Sequence, residues 1–227
     1  MAATIKDIAK KTGLGLATIS SYLNGGNVRE KNRILIEEAI CELHFEVNEI
    51  ARGLKTNRTR LIGIIIPELN NPFFAEVVAE MEDILRNHGY ATMICDCRTD
   101  EKREAEAIEF LKKRRVDGVI AMPVAKNGTY FHELQDTGIP VVTVDRKLKD
   151  LECDCVLVDN RGGTKLAVER FIQAGHKRIG IITGKNDVYT TKERLLGYYD
   201  ALEDAGIARD DRLIANGQFT IRGGASA

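Results

Sequence analysis

Leu61-Ile-Gly-Ile-Ile-Ile66 is the stretch that decides the fold. It is an unbroken apolar run, ended by Pro67. A half-exposed strand would alternate apolar with polar residues. A run without polar positions asks for cover on both faces, as in a parallel sheet flanked by helices. Reading outward, 73–87 is an amphipathic helix (Val77, Met81, Ile84, Leu85), closed by Gly89. Strand 90–95, helix 101–114, strand 116–122, a helix near 128–136 and strand 140–145 follow. After a crossing segment around 156–159 come helix 163–174, strand 178–183, helix 191–205 and strand 213–216. The turn signals His88-Gly-Tyr90, Asp117-Gly-Val119, Thr137-Gly-Ile-Pro140 and Ala174-Gly-His176 fall at helix-to-strand junctions. Strand–helix alternation of this kind is the signature of an α/β fold.

Upstream of Leu61 the texture changes. Thr4 followed by Asp7 is a capping-box-like start, and Ile5, Ile8, Ala9 and Thr12 share one helical face. Gly13 breaks that helix, and a second, 16–23, stops at Asn24-Gly-Gly26. Small Ala9 where two helices touch, Gly13 in the turn and apolar Ile19 turned inward are spaced as in a helix-turn-helix. A plain helical hairpin is the bland alternative. A third helix, 30–44, carries Ile36, Ile40 and Leu43 at core spacing. Residues 47–60 are polar and basic, too short to fold alone, and read as a linker with helical potential interrupted by Gly53.

The 227 residues are 44% hydrophobic, which excludes wholesale disorder. No apolar stretch approaches the roughly 18 residues a membrane helix needs. Met1-Ala-Ala-Thr-Ile-Lys-Asp7 has no apolar signal-peptide core, so the expected compartment is the cytoplasm. The net charge of −1 conceals a split: residues 1–60 carry +3 and the remainder −4. A basic head on an acidic body fits a polyanion-binding module joined to something else. Five cysteines, an odd number, fit free thiols. Cys95-x-Cys97 and Cys153-x-Cys155 invite a four-thiolate zinc site, but one intervening residue is fewer than zinc loops use. Small core residues are the better reading. Gly180-Ile-Ile-Thr-Gly-Lys185 is one residue short of a phosphate loop and is followed by Asn186 rather than Ser or Thr. Nucleotide-fingerprint, nucleophile-elbow and paired Cys/His motifs are missing from the sequence, so an enzyme is the losing hypothesis and neither metal nor cofactor is expected.

Several motifs together carry a resemblance. Thr4-Ile-Lys-Asp-Ile-Ala-Lys-Lys-Thr-Gly13, Ala17-Thr-Ile-Ser-Ser-Tyr-Leu-Asn24, Asn48-Glu-Ile-Ala-Arg-Gly-Leu-Lys-Thr56 and Asn71-Pro-Phe-Phe74 come first. Val116-Asp-Gly-Val-Ile120, Val144-Asp-Arg146, Gly175-His-Lys-Arg-Ile179 and Arg194-Leu-Leu-Gly197 follow in order. From Thr4 onward the chain resembles the lactose-repressor-like (LacI/GalR) transcription regulators. The resemblance implies a helix-turn-helix domain (1–46), a hinge helix (47–60) that orders on operator DNA, and a periplasmic-binding-protein-like core. That core would comprise an N-subdomain (61–160) and a partial C-subdomain (161–227). It also implies a homodimer on a palindromic operator and a sugar-like effector between the subdomains.

Carried over residue by residue, Leu16, Ala17 and Ser21 lie where the family reads bases, and Thr18 and Ser20 where it faces phosphates. Ala51 matches a minor-groove contact and Leu54 the leucine wedged between base pairs; Thr4, Asn24, Asn48 and Lys55 complete the DNA-facing set. An exposed Leu on a basic segment is poorly placed unless a partner buries it, whether a base step or the protein's own core. For the effector, Phe73, Phe74, Asp145, Thr190, Arg194 and Phe219 match cleft positions. The lesser alternatives are that the two phenylalanines are core staples of the following helix and that Arg194 makes a surface ion pair. Asp159, near a subdomain crossover, reads as structural.

Departures from the family pattern matter. Gly15 stands for the usual Ser before the second helix, Ser21 for a frequent Arg, Arg29 for a capping Ser, and Val47 for the Pro that opens the hinge. The expected operator therefore differs from the common family site. The resemblance implies a longer core than 227 residues allow, so a truncated, regulation-defective fragment with exposed apolar faces is one expectation. A small-molecule-binding protein without DNA function is the rival from another class.

Overall fold

The computed structural model describes residues 3–46, 53, 58–186 and 188–227. Its residues cluster into two compact units, Met1–Thr59 and Arg60–Ala227.

In the first unit, α1 (Ile5–Thr12), α2 (Leu16–Leu23) and α3 (Glu30–Leu43) form a three-helix cluster. The Asp7 carboxylate accepts from the backbone N–H (2.9 Å) and the hydroxyl (2.7 Å) of Thr4, which fixes the start of α1. Gly13, at φ 70°, ends that helix by donating to the Ala9 carbonyl. Gly15 and Arg29 open α2 and α3 without side-chain caps, in line with the departures seen in the sequence. Ile8, Ile19, Ile36 and Ala39, drawn from all three helices, form the fully buried centre. Each buried isoleucine contributes roughly 1.5–3 kcal/mol, enough to hold three short helices that would not persist alone. The hinge positions Asn48, Ala51, Leu54 and Lys55 lie outside the described residues.

In the second unit, β1 (Leu61–Ile66), α4 (Pro72–Asn87), β2 (Ala91–Asp96), α5 (Glu101–Arg114), β3 (Gly118–Ala121), α6 (Thr129–Asp136), β4 (Val141–Val144) and β5 (Asp154–Val156) build a five-stranded sheet. Its order is β2-β1-β3-β4-β5 and every pairing is parallel. The apolar run of β1 is used as its pattern predicts. Ile65 enters a core on one face with Ile108, Leu111, Phe131 and Leu134. Ile64 and Ile66 enter the other, with Phe74, Val78 and Met122.

The strand read at 178–183 is confined to Ile181–Thr183 and the helix read at 191–205 spans Tyr189–Asp204, and the crossing differs as well. The segment read as beginning a crossing at 156 closes a fifth strand, because Asp154–Val156 pairs along β4. The crossing is confined to 157–159, and the next helix, α7, spans Asn160–Gln173 rather than starting at 163. Asp159 starts it early, accepting from the Gly162 N–H at 2.8 Å as an N-cap.

The chain continues through β6 (Ile181–Thr183), α8 (Tyr189–Asp204), a 3-10 turn (Asp211–Leu213), β7 (Ile214–Asn216) and α9 (Ile221–Ser226). β6 and β7 pair in parallel. α7 and α8 approach backbone to backbone: a Cβ on Gly197 would fall on the carbonyl oxygen of Arg161. The pair is clamped by Arg161 against Asp200 (2.6 and 2.9 Å) and Lys165 against Asp204 (2.6 Å). Tyr198, fully buried between Val168, Ile179 and Ala201, donates its hydroxyl to the Ile179 carbonyl at 2.8 Å. Ile182, on the two-stranded sheet, is 60% exposed.

The sheet order disposes of the four-thiolate reading. Cys95 and Cys97 sit at the β2 edge and Cys153 and Cys155 at the β5 edge, four strand spacings apart. At about 4.8 Å per spacing the pairs are about 19 Å apart, far beyond any shared metal. Cys97 is buried and its thiol is pushed up to about 12, chiefly by that burial. Among the described residues no helix is long and apolar enough to cross a membrane.

Candidate functional site

Two places in the chain gather the residues the sequence singled out. The first is the exposed face of α2. Leu16, Ala17, Ser20, Ser21 and Asn24 recur at the spacing of one helical face, while Ile19 points into the core. Leu16 is 46% exposed and Ala17 is exposed too, so the leading turn presents apolar carbon rather than charge. Ser20, Ser21 and Thr18 are half-buried. Asn24 is turned back on the helix, donating to the Ser20 carbonyl at 2.7 Å, and therefore serves first as an end cap. Thr4 is likewise engaged, through its hydroxyl to Asp7. The cations of this unit divide by partner: Lys11 pairs with Glu42, and Arg33 with Glu30 (3.1 Å) and Glu37 (3.6 Å). Lys6, Lys10, Arg29 and Lys31 are exposed. A short helix of this shape, with lysines on neighbouring elements, suits a major groove edged by phosphates.

The second place is a cleft of about 310 Å³ in the larger unit. All six effector positions taken from the resemblance line it: Phe73, Phe74 and Asp145 from the five-stranded half, Thr190, Arg194 and Phe219 from the other. The cleft lies at the carboxyl ends of β1, β4, β6 and β7, where open parallel sheets offer loops and helix starts to ligands.

Local sequence explains how each side chain arrives there. Asn71 caps α4 by accepting from the Phe73 N–H at 3.1 Å, and Pro72 fixes the first helical φ. That aims two consecutive rings differently. Phe74, 8% exposed, is the core staple with Ile64, Ile66 and Met122, whereas Phe73, 45% exposed, offers its ring to the cleft. They meet edge to face, centroids 5.2 Å apart. Asp145 follows the end of β4 in the left-handed region (φ 67°), its N–H held by the Val156 carbonyl at 3.0 Å. Burial raises its carboxyl above the usual range, and Arg146 and Arg194 pull it back in part.

Thr190 is buried in the first turn of α8, and Arg194 projects one turn later. Gln218 and Phe219 both have left-handed backbones (φ 54° and 59°), held by the Gln218 N–H to Asn216 Oδ1 at 2.9 Å. The Phe219 ring lies against Gly184, where any Cβ would overlap it. A side chain at position 184 would therefore displace the Phe219 ring from this wall of the cleft.

Other lining residues were not picked out as cleft groups, although Arg146 and Lys185 lie within motifs quoted from the sequence. Arg146 reaches from the cleft to the Pro123 carbonyl at 2.9 Å; Glu68 accepts from the Thr99 hydroxyl at 2.8 Å; Lys185 and Gln218 complete the second wall. Asn160 was missed altogether, although its Oδ1 accepts from Arg194 Nε at 2.8 Å. Asp159, by contrast, is a helix cap and lies outside the cleft lining. Exposed aromatic faces, two carboxylates, three cations and two hydroxyls in one cleft match a ligand with an apolar face and an oxygen-rich rim. Among the described residues no three His, Cys, Asp or Glu gather as metal ligands do.

Comparison with known proteins bears on both places. The family described as periplasmic binding proteins and sugar-binding domain of the LacI family matches residues 59–227. The HTH-type transcriptional regulator RegA of Clostridium saccharobutylicum is 33% identical over 226 residues, covering 99% of this chain and 68% of that protein. The transcriptional regulator CelR in complex with cellobiose is 29% identical with a TM-score of 0.66, over 99% of this chain and 68% of that one. The lac repressor dimer bound to operator and the anti-inducer ONPF, 21% identical, shares the fold with a TM-score of 0.85 over 99% of this chain and 68% of that one. The chain spans about two thirds of the length of the curated relatives it matches. With a family match over most of its residues and a helix-turn-helix regulator aligned along nearly all of it, the chain belongs to the LacI family.

Proposed function

We propose that this protein is a cytoplasmic, sequence-specific DNA-binding transcription regulator, a repressor, controlled by a small polyhydroxylated effector bound in the cleft. The observation that carries the reading is the convergence of Phe73, Phe74, Asp145, Thr190, Arg194 and Phe219 on one cleft, in a chain that also bears a helix-turn-helix. The cellobiose held by CelR supports a sugar-like ligand.

On DNA, α2 enters the major groove, with Leu16 and Ala17 against base edges. Their apolar surface suits thymine methyls, and Ser21 lacks the bidentate donor that selects guanine. The hinge segment 47–60 supplies Ala51 and Leu54 to the minor groove, Leu54 wedging a base step. A homodimer on a palindrome sets two such helices one turn of DNA apart. The effector bridges the two halves of the cleft. Its differential affinity for open and closed arrangements shifts the population that binds operator, a coupling of typically 1–3 kcal/mol.

The test is a mobility-shift selection from a palindrome library over a salt series, with and without neutral sugars, sugar phosphates and nucleosides. The expected outcome is a selected palindrome, affinity that falls steeply with salt as counterions are released, and one ligand class that changes it. Equal affinity for every palindrome and for random DNA would overturn specific regulation.

A further inference from the structure

Asn160 is 6% exposed and opens α7, immediately after the crossing residues 157–159. Its amide works in two directions: Oδ1 accepts from Arg194 Nε at 2.8 Å, and Nδ2 donates to the Val158 carbonyl at 3.1 Å. Among the described residues this is the only hydrogen bond the Arg194 side chain makes, and no carboxylate lies within ion-pair distance of it. The Nη edge is therefore uncommitted on the cleft side, while Asp145 faces it from the other half.

The neighbouring carboxylate is used differently. Asp159 is turned away to cap α7 through the Gly162 N–H, so the acceptor presented to Arg194 is a neutral amide. An amide fixes a guanidinium through Nε without neutralising it, and the planar fork then offers its remaining donors in a set direction. The backbone of α7 cannot shift to release this geometry cheaply, because Gly197 brings α8 against Arg161 and the Arg161–Asp200 clamp holds the pair.

We infer that Asn160 is a positioning residue of the effector site: it holds Arg194 by Nε, off Asp145, with the Nη edge aimed at ligand oxygens and tied to the crossing segment. This rests on the effector-site reading of the cleft. A role confined to the turn at Val158 would leave Arg194 and Asp145 indifferent to the side chain.

The experiment uses the full chain as wild type, Asn160→Ala and Asn160→Asp. The ligand-free readout is a carbon-13 NMR titration of the Asp145 carboxyl, whose charged surroundings in the cleft are Arg146, Arg194, Lys185 and Glu68. In Asn160→Ala the freed guanidinium closes on Asp145, and the midpoint should fall by roughly one pH unit. In Asn160→Asp the added carboxylate engages Arg194, and the midpoint should rise instead. Should Asn160→Ala fail to fold, the near-isosteric Asn160→Asp decides alone. The second readout is calorimetry with cellobiose and with ribose, where Asn160→Ala should weaken a binding sugar about 10–100-fold. Variants that titrate like wild type overturn the inference even if a sugar binds. Shifts in the stated directions uphold it, and if wild type then binds neither sugar it is the effector class that fails.

Discussion

Replacing Glu104 by leucine tests how the cleft is braced from behind. Glu104 lies in the first turn of α5, fully buried, and its two oxygens accept from the backbone N–H groups of Val124 (2.6 Å) and Ala125 (2.9 Å). The same peptide unit that presents the Val124 N–H is gripped at its other end, where Arg146 donates to the Pro123 carbonyl. One buried carboxylate and one cleft arginine thus pin the loop between β3 and α6. Glu104→Leu leaves the buried Ala125 amide and the half-buried Val124 amide without acceptors, at roughly 1–3 kcal/mol each. Burying leucine in place of an ionisable group returns about 1–2 kcal/mol. The net loss is about 3 kcal/mol, or roughly 6–12 °C for a unit of this size.

Titration gives the same side chain a second signature. Burial raises the Glu104 pKa above 4.5, against the opposing pull of its two amide partners and Arg146. The native state then keeps a proton that the unfolded chain has released, so this stabilisation is complete below about pH 4.5 and is lost as pH rises through the folded value. Unfolding followed by circular dichroism at about pH 5 and about pH 8 should show wild type gaining on Glu104→Gln at the lower pH. A Glu104→Leu loss under about 0.5 kcal/mol, or a wild type–Gln difference independent of pH, would refute the bracing argument.

Two further outcomes follow from the packing. Gly197→Ala should destabilise the larger unit by about 1–3 kcal/mol in urea unfolding, because the new methyl meets the Arg161 carbonyl and forces α7 from α8. At an ordinary helical site the same change stabilises by up to about 1 kcal/mol, so a gain would show that the helices are not in backbone contact. With a thiol reagent at about pH 8, exposed Cys41 should react in the native protein, and Cys97, buried and with its thiol pushed up to about 12, only after unfolding. Mass spectrometry locates the label, and native labelling of Cys97 at the Cys41 rate would contradict the burial.

What the sequence disclosed tracks how locally each feature is determined. β1 was legible because Ile64, Ile65 and Ile66 are buried alternately on two faces, leaving an unbroken apolar word. The start of α1 was legible because Thr4 and Asp7 satisfy each other within one turn. The start of α7 was misplaced because glycines at 162 and 163 argue against helix, and only the Asp159 cap and packing against α8 outweigh them. Glu104 is indistinguishable in the sequence from the other charges of its helix, since its partners lie 20 and 21 residues away.

The cleft divides on the same line. Its six anticipated residues came from resemblance, and their side chains face one cavity. Which phenylalanine is staple and which is wall depends on the Asn71 cap, which periodicity does not report. Asn160 left no mark in spacing or composition, and Arg146 and Gly184, though within quoted motifs, gave no hint of their roles there, because each matters through one distant contact: with Arg194, with Pro123 and with Phe219. Ligand-facing groups are thus named by local motif, while the residues that aim them are chosen by tertiary geometry. Substitution at Asn160 should therefore alter the ligand response without altering any motif by which the family is recognised.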